Sequence, residues 1–173
     1  MLVILASATL AAGKEDIVRL RQQGMKQMAA AAKTISEMFG GKRDFDGSDL
    51  SAAARVLKEH SGKTLGSQFP EGSLGVPSDA ADRIAAERVA FDAIADRLSE
   101  LAVAFEKQTQ TALSITSAMR MRMGSSAMGG GSLLGARKSP ELVDVTTVPA
   151  EHLFHMMLDT CAGCHSKYRI RAQ

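Results

Sequence analysis

Tryptophan is absent from this chain of 173 residues, tyrosine occurs once, and aromatic residues make up 4% of it. No aromatic RNP-like motif is present, and Lys and Arg (21) nearly balance Asp and Glu (19), leaving a net charge of +2. A chain without a basic block or stacking platform lacks the footprint of a nucleic-acid binder. There are four prolines, while alanine and methionine are used heavily. That balance favours helix over sheet, because Ala and Met lose little on entering a helix. No apolar run approaches the roughly 20 residues needed to span a bilayer. The hydrophobic content of 45% suffices for one compact domain with a real core.

The longest apolar run, Leu2 to Ala12, ends in small residues, "TLAAG". It has the look of the apolar and cleavage regions of an export signal, which places the protein in the periplasm. The basic segment expected before it is missing, and the other reading is an apolar helical turn packed on the body. Residues 1–13 are therefore read as the remnant of a signal peptide, and 14–173 as one helical domain.

Four segments carry helical periodicity. From about Glu15 to Phe39, Ile17, Leu20, Met25, Met28, Ala32, Ile35 and Met38 make one apolar face, stopped by Gly40 and Gly41. From about Ser48 to His60, Leu50, Ala53, Ala54 and Leu57 form a stripe that Asp46 or Ser48 can cap. Gly62 to Pro77 reads as a loop. Ser78 reads as the N-cap of a long third helix, with Ile84, Phe91, Ile94, Leu98, Leu101 and Phe105 inward and the pattern persisting to about Met119. A Gly/Ser/Met-containing insert follows at about 123–147, far longer than an ordinary connection. Its neighbouring methionines, Met119, Met121, Met123 and Met128, are soft donors of the kind that suit Cu(I), but a helix end and linker using methionine as filler is the plainer account. The fourth helix begins at Pro149 and runs to about Arg171, capped by Thr147 or Val148. Together these predict an all-α, antiparallel four-helix bundle.

Both cysteines of the chain stand in that last helix, in Thr160-Cys161-Ala162-Gly163-Cys164-His165. Cys-x-x-Cys-His is the attachment signature of c-type haem: two thiols one turn apart form thioethers, and the histidine behind them ligates iron. A thioredoxin-like pair would belong to a βαβ unit, which this chain does not show. A zinc site would need two more ligands, for which His60, His152 and His155 are the candidates.

With this motif on the last of four helices, the chain resembles the class II c-type cytochromes, which include cytochrome c′. "RLRQQGMK" (Arg19 to Lys26), "FPEGS" (Phe69 to Ser73), "RIAAERVAFDAIADRL" (Arg83 to Leu98) and "CHSKYR" (Cys164 to Arg169) are similar to family stretches. The resemblance implies one haem c held by Cys161 and Cys164, with His165 as iron ligand and Arg21 and Gln22 beside a propionate. Arg169 falls near the proximal side or acts as a cation at the helix C-terminus. Met25 is implied on the distal side. As an iron ligand it would make a His/Met site, which raises the reduction potential and suits electron transfer. Packed without ligating, it would leave a five-coordinate iron open to nitric oxide or carbon monoxide. Lys26 and "ERVAFDAIAD" resemble the low-spin members, so the sequence favours an electron carrier serving redox partner proteins, with gas binding as the alternative. The family also makes a homodimer through its first two helices plausible. Where the family usually has a tryptophan early in the third helix, this chain has Ala85. Acidic residues are spread along helix faces and form no convergent acid/base pair, so no enzyme is indicated.

Overall fold

The computed structural model describes residues 5–75, 78–114, 145 and 148–170. Helix α1, Leu5–Phe39, is 35 residues long and begins ten residues before the periodic stripe predicts, within the leader-like segment. Its buried positions are 18, 21, 24, 28, 31, 35 and 38, a three-and-four spacing. The second half of this stripe matches the sequence reading. The first half is turned by one residue: Leu20 is 52% exposed, while Arg21 is 3% exposed. Gly41, at φ +66°, takes the left-handed conformation that ends the helix.

Helix α2, Gly47–Glu59, runs back antiparallel to α1. Asp46 caps it, accepting from the N–H groups of Ser48 (2.8 Å) and Asp49 (2.9 Å). Leu50, Ala53, Ala54 and Leu57 are buried as the stripe predicts. The stretch read as a plain loop holds one short helix, α3, Gly62–Ser67. The long third helix does not start at Ser78. A single turn, α4 (Arg83–Ala86), precedes α5, Arg88–Ser114. Ser78 instead closes a local turn, its hydroxyl accepting from the Ala80 N–H at 3.0 Å. The last helix, α6, is Ala150–Tyr168, with Pro149 itself at the N-cap, one residue from the expected place. The methionines at 119–128 and nearly all of the 123–147 insert lie outside the described residues.

Helices α1, α2, α5 and α6 form the antiparallel four-helix bundle. Neighbours pack in the order α1–α2, α2–α5 and α5–α6, with α3 laid on α5. Ile35, Leu50, Leu101, Phe105, Leu153 and Met157 form the centre of the core, each at most 2% exposed. At one end Phe154 meets Phe39 edge-on at 5.8 Å and lies 6.1 Å from Phe105. The backbones of α1 and α6 approach each other in few places. No strand occurs among the described residues; a single bridge joins Ala80 to Arg169. No helix among them is long and apolar enough to cross a membrane.

Candidate functional site

The inward stripe of α6 is buried at Leu153, Phe154 and Met157 and again at Tyr168. Between them, Cys161 and Cys164 continue the same face but are incompletely covered. The facing stretch of α1 is also uncovered, with Met25 and Ala32 half-buried and Ala29 exposed. Two adjoining cavities fill this gap, of about 530 and 330 Å³. Both are lined by Met25, Ala29, Leu65, Cys164 and His165. The two cavities are bordered by the cysteines and the histidine of α6.

The two cysteines form no disulfide with each other. Burial pushes both up, Cys164 to about 11, with Cys161 beside it adding to the effect. A redox or nucleophilic Cys-x-x-Cys lowers its thiol pKa, so this pair has the opposite electrostatics. The zinc candidates do not converge either. His152 and His155 are exposed on α6, His155 lying 3.9 Å from Glu151. His60 packs beside Gly24, where a Cβ would stand 3.1 Å from its Nδ1. Among the described residues no three His, Cys, Asp or Glu side chains gather around one point. His165 is held below its ordinary pKa by burial and then by Arg169, so its ring is a neutral imidazole with a lone pair to offer.

The opposite wall of the larger cavity carries Arg21, whose acceptors are all neutral. Nη1 donates to Ser73 Oγ (3.0 Å) and to the Gln68 carbonyl (3.3 Å). Nη2 donates to the Ser73 carbonyl (2.6 Å) and to Ser78 Oγ. Its guanidinium also sits 4.8 Å from the centre of the Phe69 ring. Burial works against its charge, and among these partners there is no carboxylate to balance it. A buried cation lining a cavity with neutral oxygens around it fits an anionic group on whatever occupies that cavity. The two sequence stretches "RLRQQGMK" and "FPEGS" thus meet at Arg21 and Ser73. Gln22 and Lys26 are exposed at the rim of the same cavity. Arg169, the C-cap of α6, also lines it, but its guanidinium pairs with Asp79 at 3.1 Å.

Three wall residues were not assigned to the site in the sequence. Phe69, Phe91 and Tyr168 stand in a row, with ring centres 4.9 and 5.3 Å apart, each pair edge to face. Phe69, Phe91 and Ile84, together with Tyr168, make the wall of the larger cavity, and Ala85 is exposed away from it. The missing tryptophan therefore leaves no hole in the described wall. Each of the three aromatics lies in a stretch that resembles the family, but Phe91 and Tyr168 look like ordinary core positions.

The residues present fit a covalently held haem: two thiols one turn apart on a helix face, a neutral imidazole behind them, an apolar slot, and an unbalanced buried cation across from them. The model of the Cytochrome C′ family matches residues 16–127. Among solved structures, the chain is similar to cytochrome c prime from Shewanella frigidimarina, with 18% identity, TM-score 0.65, and coverage of 91% of this chain and 97% of that one. Cytochrome c′ from Thermochromatium tepidum gives 17% identity, TM-score 0.65, and coverage of 91% and 98%. The nitric oxide complex of a leucine-to-alanine mutant of cytochrome c prime from Alcaligenes xylosoxidans gives 18% identity, TM-score 0.64, and coverage of 92% and 97%. No curated protein matches the chain.

Proposed function

The chain belongs to the cytochrome c′ family, and from that premise we propose that it binds nitric oxide or carbon monoxide at a five-coordinate haem iron, with Met25 packed over the open face. Like the family, it carries one covalently attached haem c. When bound, that group supplies an iron centre able to take a diatomic ligand or pass one electron. Cys161 and Cys164 tether it, His165 is the proximal ligand, and Arg21 with Gln22 holds a propionate. Arg169 stiffens the end of α6 through Asp79.

The observation that carries this reading is an apolar patch shared by the two cavities. Met25 and Ala29 of α1 and Leu65 of α3 line it together with His165. Such a patch suits a neutral diatomic molecule. The related protein from Alcaligenes xylosoxidans was solved as a nitric oxide complex, which supports the same use here. The second reading, an electron carrier for redox partner proteins, rests on one observation: the Met25 thioether lines both cavities with His165, so it faces the place of a sixth ligand.

Optical spectra of the ferric and ferrous protein, with and without carbon monoxide, separate the two. A high-spin spectrum, ready carbon monoxide binding and no change in Met25→Ala are expected. A low-spin spectrum that Met25→Ala converts to high-spin would establish the carrier instead. A homodimer is proposed as well; one solved relative, 15% identical, is described by its ligand-controlled dimer dissociation. Sedimentation with and without carbon monoxide tests it.

A further inference from the structure

Tyr168 is the single tyrosine of a chain without tryptophan. With both cysteines committed to thioethers, it is the readily oxidised ring in this protein. Its side chain is 3% exposed and lines the larger cavity with Cys164 and His165. The ring faces the cavity wall, edge to face with Phe91. The hydroxyl, by contrast, donates outward to Glu87 Oε2 at 3.2 Å. Glu87 stands at the junction of α4 and α5, with its side chain 35% exposed, and also meets Lys167 Nζ at 2.5 Å and Arg83 Nε at 3.5 Å.

A phenol gives up an electron readily only when its proton can leave together with it. That requires a base within hydrogen-bond reach, about 2.6–3.2 Å. Glu87 meets this condition, and it is ionised at neutral pH: Lys167 foremost, and then Tyr168 itself, hold its carboxyl below the usual range. The ring is thus turned to the cofactor and the proton to a carboxylate that reaches solvent.

We propose that Tyr168 is a built-in one-electron donor that, with Glu87 as proton acceptor, lets the ferrous protein reduce hydrogen peroxide completely to water. Peroxide takes two electrons and two protons and leaves as two waters. One electron comes from ferrous iron, which is left ferric. The other comes from Tyr168, whose O–H bond breaks to leave a neutral phenoxyl radical. The phenolic proton passes to Glu87 and from there to solvent, and the peroxide draws its two protons from solvent, a net uptake of one. The proposal rests on the open iron face argued above, because peroxide must reach the metal.

The test mixes the ferrous holoprotein with one equivalent of hydrogen peroxide, freezes it within milliseconds and records electron paramagnetic resonance. A tyrosyl radical is expected in the wild type and none in Tyr168→Phe, which keeps the ring and its packing. Glu87→Gln keeps the shape but is a far poorer base, and is expected to cut the radical yield by roughly tenfold or more. A silent wild type, or an undiminished radical in Tyr168→Phe, overturns the proposal. Carbon monoxide binding is measured on the same samples. A silent wild type that binds carbon monoxide means that Tyr168 is no donor at an open iron. A silent wild type that excludes carbon monoxide means that the open face has failed as well.

Discussion

Arg21 Nη2 lies 2.6 Å from the carbonyl oxygen of Ser73, fifty-two residues along the chain. This contact ties α1 to the connection between α2 and α5, and it does so with a charge that has no opposite charge beside it. Replacing Arg21 with Met removes the donors and leaves buried oxygens of Gln68, Ser73 and Ser78 without them. Unmade hydrogen bonds to a charged group cost about 1.5–3 kcal/mol each at most, so a loss of about 2–4 kcal/mol in the apoprotein is expected. Urea unfolding measures it. Lys, with one ammonium in place of a fork, is expected to recover less than half of that loss.

Phe154, 2% exposed, is the side chain on which α1, α5 and α6 meet at the closed end of the bundle. Phe154→Ala is expected to cost about 3–5 kcal/mol by cavity formation, measured by denaturant midpoint at unchanged slope. Haem attachment should survive it, because the thioether anchors Cys161 and Cys164 are untouched, although Phe154 also lines the smaller cavity.

The Asp46 cap makes stability depend on acid. The Asp49 N–H, and then the hydroxyl and N–H of Ser48, hold its carboxyl below the ordinary value of 3.8. Its folded pKa is lower than its unfolded one, so its contribution is complete above the unfolded value and fades as pH falls through the folded one. The stability gap between wild type and Asp46→Ala should be constant from pH 7 to about pH 5 and narrow progressively below that. Thermal melts across that range read the gap directly.

Each cysteine is expected to carry its own thioether. Cys161→Ser and Cys164→Ser should each retain haem after denaturation through the remaining bond, and the double variant should release it. Mass spectrometry of the denatured protein distinguishes the three. Retention in the double variant would remove the attachment assignment.

Export is expected to remove the leader-like run. Expressed with its own N-terminus in a bacterium that matures c-type cytochromes, the protein should be recovered from the periplasm, with an intact mass that begins near Gly13. A cytoplasmic protein starting at Met1 would contradict this.

Much of this was legible in advance, for reasons that differ from place to place. The Leu50–Leu57 stripe and the core half of α1 follow the helical period because nothing there competes with apolar burial. Cys161, Cys164 and His165 border one cavity, as their spacing on a single helix face dictates. The first half of α1 misled because Arg21 takes an inward position that a hydrophobicity pattern assigns to Leu20. A charged side chain faces inward where the cavity requires it, and local rules fail at such sites. Ser78 misled for a related reason. A serine before an acidic residue suits a helix cap, yet its oxygen serves Arg21 and Ala80. Phe69, Phe91 and Tyr168 come together through tertiary packing across a hundred residues, which no local pattern encodes.

The raised thiol of Cys164 bears on how the protein is made. Thioether formation consumes a thiol that must be reachable and reactive, and in the folded chain both cysteines are partly covered and Cys164 is pushed to about 11. Docking α6 against α5 is therefore expected to slow thioether formation, which should run faster while that helix is still undocked. A variant that folds faster without its cofactor would, on this account, be loaded less completely.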